Sequence, residues 1–255
     1  MLYTIDIGNT NITIGIYDDE ERVASWRIAT NHDRMPDEYG IQMLDFLEHA
    51  GYATDDIHGV ALASVVPPLT SAISQACQRY LCKEPFVVDA GIKTGVRILY
   101  DDPRSVGADR IVDAAAVQTL YGGPACVVDF GTATTFDAIS EEGDYLGGAI
   151  SPGIGIAAQA LFQRTAKLPR VDLKRPPSVI GRNTVHAMQS GLLYGYVGLV
   201  EGMVVRFRKE LGKEMKVIGT GGLAALIAAE TDAIDILAPW LTLDGLRILY
   251  DLNHA

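Results

Sequence analysis

Two strand-turn-strand segments share one unusual turn, and together they limit what this chain can fold into. TIDIGNTNITI begins at Thr4 and VVDFGTATTFDAI at Val127. In each, an apolar strand ends in aspartate, passes a glycine and leaves through small hydroxyl or amide side chains. Setting Asp6 on Asp129 and Gly8 on Gly131 lays Asn9 over Thr132 and Asn11 over Thr134. The flanking patterns repeat as well. Residues 1–8, 11–18 and 22–29 alternate as three antiparallel strands. A helix from Pro36 to His49, a buried strand at 59–66 ended by Pro67 and Pro68, the helical LTSAISQACQRYL and a short strand at 86–89 follow. The second half opens with PACVVDF, TTFDAIS and DYLGGAIS and continues through helices, KVIG, LAALIAAE, AIDIL and a last helix. This doubled βββαβαβ order predicts an α/β protein of two similar domains, residues 1–112 and 113–255, each built on a mixed sheet.

A strand ending in Asp, followed by a glycine turn and hydroxyl or amide residues, suits phosphate. Glycine lets a phosphate approach the backbone, while turn N–H groups and Thr or Asn side chains supply neutral donors. Aspartate would meet phosphate only through a metal ion. Two such hairpins facing each other would clasp a nucleotide tail. No GxxxxGK[ST] sequence occurs, which excludes a P-loop route to that site. GIGIAA at 153–158 fits the GxGxxA dinucleotide pattern, but RTAKLPRVDLKRPP follows where a second strand is required.

The chain carries 21 Lys and Arg against 32 Asp and Glu, a net charge of −11, which argues against nucleic acid or anionic membrane as partner. A polyanionic ligand must then be held locally. The start MLYTIDIG has no basic leader, and no apolar run is long enough to span a bilayer, so a cytoplasmic protein is expected. Cys77, Cys82 and Cys126 are read as buried free thiols, and the five histidines show no metal-ligand spacing.

Beyond DIGNTN, the chain contains SVVPP (64–68), YDDPRSVGADR (100–110), DFGTATT (129–135), GGAISPG (147–153), GRNT (181–184) and GTGG (219–222). With these motifs it resembles the acetate and sugar kinase, Hsp70 and actin superfamily, and within it the type III pantothenate kinases. The resemblance implies two actin-like (ribonuclease H-like) domains with an ATP cleft between them. It implies transfer of phosphate from ATP to pantothenate, the first step of coenzyme A synthesis, by a homodimer using Mg2+ and a monovalent cation, K+ or NH4+. Carried over by motif, Asp6, Ile7, Gly8, Asn9, Thr10, Asn11, Ile12, Thr13 and Thr132 would contact ATP, and Asp129 would hold the monovalent cation. Asp109 would be the general base. Tyr100, Gly107, Ala108, Asp109, Arg110 and Thr184 would line the pantothenate site.

The residues themselves agree with those roles. RIVDAAAVQTLY has helical spacing, which puts Asp109 at a helix N-terminus where the dipole favours its ionised form. Arg110 can grip a carboxylate with two bonds, and pantothenate has one. Neither phosphate turn contains Lys or Arg, so cations must neutralise ATP. Two other readings remain open on sequence: a different small-molecule kinase on the same fold, and an ATP-binding regulatory relative without transferase activity.

Overall fold

The computed structural model describes residues 1–89 and 91–254. The chain forms two compact units. Met1–Val96, Asp101–Leu120 and the segment from Leu241 make the first, while Arg97–Tyr100 and Tyr121–Trp240 make the second.

In the first unit, β1 (Leu2–Ile7), β2 (Asn11–Asp18) and β3 (Glu21–Ala29) form the antiparallel meander, and β4 (Gly59–Ser64) and β5 (Phe86–Val87) extend it in parallel, in the order β3-β2-β1-β4-β5. Period-two alternation sends Tyr3, Ile5, Ile7, Ile12, Ile14 and Ile16 to one face. There they pack against α1 (Pro36–Ala50) through Tyr39, Met43 and Leu47 and against α2 (Pro67–Tyr80) through Leu69, Ile73 and Cys77. Proline opens both helices, where its missing N–H has no intrahelical partner to lose. Helix α1 also closes a loop between Met35 N–H and the Glu38 carboxylate, 2.8 Å, and stops at Gly51 with φ 81°. Truncating a side chain such as Ile5 or Leu62, both fully buried, would cost about 2–5 kcal/mol.

Helices α3 (Ala108–Leu120) and α7 (Leu241–His254) pack on each other, and α7 lies on β1, β2 and β4. The compact units therefore do not follow the division at 112/113. All of α3 stays with the first unit, and the last helix returns to it, because Leu241, Leu243, Leu246 and Leu249 form a fully buried stripe.

The second unit repeats the pattern. Strands β6 (Ala125–Phe130), β7 (Ala133–Ile139) and β8 (Tyr145–Pro152) form the meander, and β9 (Lys216–Thr220) and β10 (Ile236–Leu237) continue in parallel, in the order β10-β9-β6-β7-β8. Read from the other edge, this is the strand order of the first sheet. Helix α4 (Ile154–Arg164), the 28-residue α5 (Thr184–Leu211) and the short α6 (Ala224–Ala228) complete it. Phe130, Phe136, Val128 and Val217 pack with Leu192, Leu193, Tyr196 and Val200 of α5. No strand lies between α4 and α5; residues 165–183 are irregular, which removes the dinucleotide-fold reading of GIGIAA.

The expectation for the thiols needs one correction. Cys77 and Cys126 are buried, but Cys82 is exposed. Helix α2 ends at Tyr80, and Cys82 sits beyond it with φ 53°.

Candidate active site

The first of the repeated turns is built where β1 meets β2. Ile7 pairs with Ile12, leaving residues 8–11 as the loop, and Gly8 N–H donates to Asn11 O at 3.0 Å. Asn9, Thr10 and Asn11 are exposed at its tip. Ile7 and Ile12 are fully buried in the core, so only their backbones are available to a ligand. Thr30, unremarked in the sequence, clamps the turn: its hydroxyl donates to Gly8 O at 2.6 Å and its N–H to Thr10 O at 2.9 Å. A Thr just past the third strand was the signal available for it.

The GADR motif stands at the start of α3. Arg110 N–H donates to the Asp109 carboxylate at 2.8 Å and to Gly107 O at 3.1 Å, so the carboxylate lies against the open end of the helix. A Cβ on Gly107 would stand 2.5 Å from Asp109 Oδ1, so glycine lets this carboxylate keep its place. Val65 connects the two motifs. Its N–H donates to Ile7 O at 3.1 Å, and its Cγ1 would lie 3.6 Å from that same Cβ, so SVVPP brings the end of β1 beside the GADR turn. Asp6–Thr13 and Gly107–Arg110 are thus neighbours through one residue.

In the second unit, Asp129 sits opposite Thr135 on β7 and Thr220 on β9. Asp6 faces Thr13 in the first hairpin, so the duplicate of Thr13 is Thr135. The ungapped alignment of Asn11 with Thr134 is therefore out by one position, since the second turn is a residue shorter. Thr134 occupies the place of Ile12 and is equally buried. Thr132 is exposed on the turn, and its carbonyl accepts from Gly153 N–H at 3.1 Å, where α4 begins. Gly221, with φ 90°, passes so close that a Cβ would strike Asp129 Oδ1 and the Phe130 backbone. A Cβ on Gly131 would come within 3.1 Å of Asp129 Oδ2. The carboxylate thus lies in a cradle of two glycines.

Thr184 and Tyr100 stand on separate supports. Thr184 begins α5 after Asn183, whose side chain caps the helix by accepting from His186 N–H at 2.9 Å. It lies at the mouth of an apolar groove of about 840 Å3 lined by Leu161, Met188, Leu192, Tyr196 and Leu199. Tyr100 packs beside Tyr145. Among the described residues, no group of three or more His, Cys, Asp or Glu could hold a metal ion, and no helix is long and apolar enough to cross a membrane.

A model of the type III pantothenate kinase family matches residues 2–206, most of the chain. The chain belongs to that family. A type III pantothenate kinase of Moorella thermoacetica is 54% identical over 253 residues, covering 99% of this chain and 100% of that protein. Two solved structures share the fold at low identity. A Baf family transcriptional activator from Campylobacter jejuni has a TM-score of 0.58 at 20% identity, covering 98% of each chain. A polyphosphate/ATP-glucomannokinase from Arthrobacter has a TM-score of 0.51 at 15% identity, covering 99% of each. This type III pantothenate kinase chain therefore has the two-domain α/β architecture that its repeated turns led one to expect.

Proposed function

We infer that the protein is a kinase that transfers the γ-phosphoryl group of ATP to pantothenate, the opening reaction of coenzyme A synthesis. The observation that carries this reading is similarity to a type III pantothenate kinase along the whole chain. In the reaction, the hydroxyl oxygen of pantothenate bonds to the γ-phosphorus, the bond to the β,γ-bridging oxygen breaks, and ADP leaves. Asp109 orients that hydroxyl and accepts its proton, a role suited to a carboxylate held at a helix N-terminus. Arg110 pairs with the pantothenate carboxylate, and Tyr100, Gly107, Ala108 and Thr184 shape the acceptor site. The Asp6–Thr13 turn and Thr132 supply neutral donors to the phosphates.

Mg2+ enters with ATP, and a monovalent cation, K+ or NH4+, is assigned to Asp129. The residues fit a cation: the Asp129 carboxylate is cradled between glycines where a Cβ would intrude, and neither phosphate turn has a basic side chain. When bound, these cations supply charge neutralisation to the phosphates. A homodimer would cover the apolar groove along α5. A cytoplasmic site of work is consistent with the substrates.

The test is ADP release by purified protein with and without pantothenate, in K+, NH4+ and Na+ buffers. Turnover should require pantothenate and fall sharply in Na+. Equal rates with a sugar acceptor would favour another kinase of this fold, and ATP binding without turnover would favour a regulatory relative.

A further inference from the structure

We propose that Arg97, Asp144 and Gly147 are positioning residues that set the orientation of Tyr100 in the acceptor site. This rests on the reading of Tyr100 as a pantothenate contact, and it concerns residues outside every motif assigned above except for Gly147, whose role there was unspecified.

The chain leaves the first unit after Val96 and rejoins it at Asp101. The four residues between them, Arg97–Tyr100, belong to the second unit, where they are clipped to the edge strand β8. Tyr145 N–H donates to Arg97 O at 2.9 Å, and Leu99 N–H donates to Tyr145 O at 2.8 Å. Beside this short parallel bridge, Arg97 grips Asp144 with both arms of its fork, Nε to Oδ1 at 2.8 Å and Nη2 to Oδ2 at 2.5 Å. Two parallel bonds between planar groups fix direction as well as distance.

The receiving surface is itself fixed. Asp144 is tied into its turn, its N–H donating to Ser140 Oγ at 3.2 Å and its carbonyl accepting from Ser140 N–H at 2.9 Å. The Tyr145 hydroxyl donates to buried Asp137 at 2.9 Å, and the other Asp137 oxygen accepts from Thr135 Oγ1 at 2.9 Å. Tyr100 then lies with its ring 6.2 Å from that of Tyr145 and across Gly147. A Cβ on Gly147 would stand 3.2 Å from two ring carbons, at a backbone φ of 119° that side chains rarely adopt. Glycine therefore leaves the space that the ring fills, and the Arg97 fork fixes the strand leading into it.

The Arg97 side chain is 73% exposed, so the ion pair holds little of the fold together. Its two-bond geometry is better explained by what it aims. Loss of the fork should let Tyr100 wander, and loss of orientation at a substrate contact weakens productive binding.

The experiment is a kinetic double-mutant cycle in the full-length enzyme. Arg97→Met should raise KM for pantothenate about 10-fold, with KM for ATP and the melting temperature nearly unchanged. Gly147→Ala should act in the same direction. In a Tyr100→Ala background, Arg97→Met should add less than about 2-fold, because the residue it positions is gone. Full multiplication of the two effects, or an Arg97→Met effect shared equally by ATP and pantothenate, would overturn the proposal. A Tyr100→Ala enzyme with unchanged KM for pantothenate would overturn it by a different route, by showing that the acceptor site lies elsewhere, while leaving the kinase activity itself intact.

Discussion

Tyr17 Oη donates a 2.5 Å hydrogen bond to Asp244 Oδ1, joining the second strand to the last helix across 227 residues of sequence. Arg22 approaches the same carboxylate at 3.8 Å. Tyr17→Phe should remove a bond to a charged acceptor and leave a partly buried carboxylate short of a donor. The expected loss is about 1–3 kcal/mol, discounted toward the lower end because Asp244 keeps some solvent. A urea denaturation midpoint is the measure, and no change would mean that apolar packing alone holds α7.

Alkaline pH should destabilise the fold. Burial pushes the Cys77 thiol up to about 12 and raises the Cys126 thiol and the Tyr3 and Tyr17 phenols as well. The unfolded chain releases these protons from about pH 8.5 for thiols and about pH 10 for phenols, whereas the native state keeps them. Raised native pKa values mean that the unfolded state binds fewer protons there, so stability falls as pH rises above about 8.5. Cys77→Val should flatten the first part of that decline. A thiol reagent should meanwhile titrate Cys82 alone in the native protein and all three cysteines after unfolding.

Asp109→Asn should lower kcat roughly 100-fold or more while leaving folding and ATP binding close to wild type, the scale for removing a positioned general base. Gly107→Ala should reach the same group indirectly, because its new Cβ pushes against Asp109 Oδ1. Lost thermal stability with kcat retained in Asp109→Asn would make this carboxylate a helix cap and nothing more.

Gly221→Ala combines a strained φ of 90° with a clash into Asp129 and the Phe130 backbone. About 1–3 kcal/mol of strain is expected. Any folded variant should also need more K+ for half-maximal rate, because the carboxylate assigned to that ion has moved. Unaltered K+ activation in a folded variant would argue that the cation binds elsewhere.

Much of this architecture can be read from the chain because meanders advertise themselves. Alternation of Tyr3, Ile5 and Ile7 against polar neighbours fixes which face is buried, and the prolines at 67 and 68 mark where a strand gives way to a helix. The one-residue slip between the two turns could not be read in that way. Register depends on which residues pair, and Thr134 is polar enough to pass for an Asn11 equivalent until pairing puts it in the place of Ile12. The parts played by Thr30 and Val65 were hard to read for a similar reason, since each bonds to backbone groups far away in sequence. The return of α7 was equally hidden, since an amphipathic pattern says that a helix buries one face without saying against what.

That return sets an order on synthesis. Trp240 closes the second unit, so that unit is complete when residue 240 leaves the ribosome, whereas the first unit still lacks α7. At typical elongation rates the sheet face that α7 covers waits roughly 10–30 s after Val96 has been made. The N-terminal half of this enzyme is the first to be translated and the last to be finished, and any premature stop that removes the final helix damages the half of the protein that was already written.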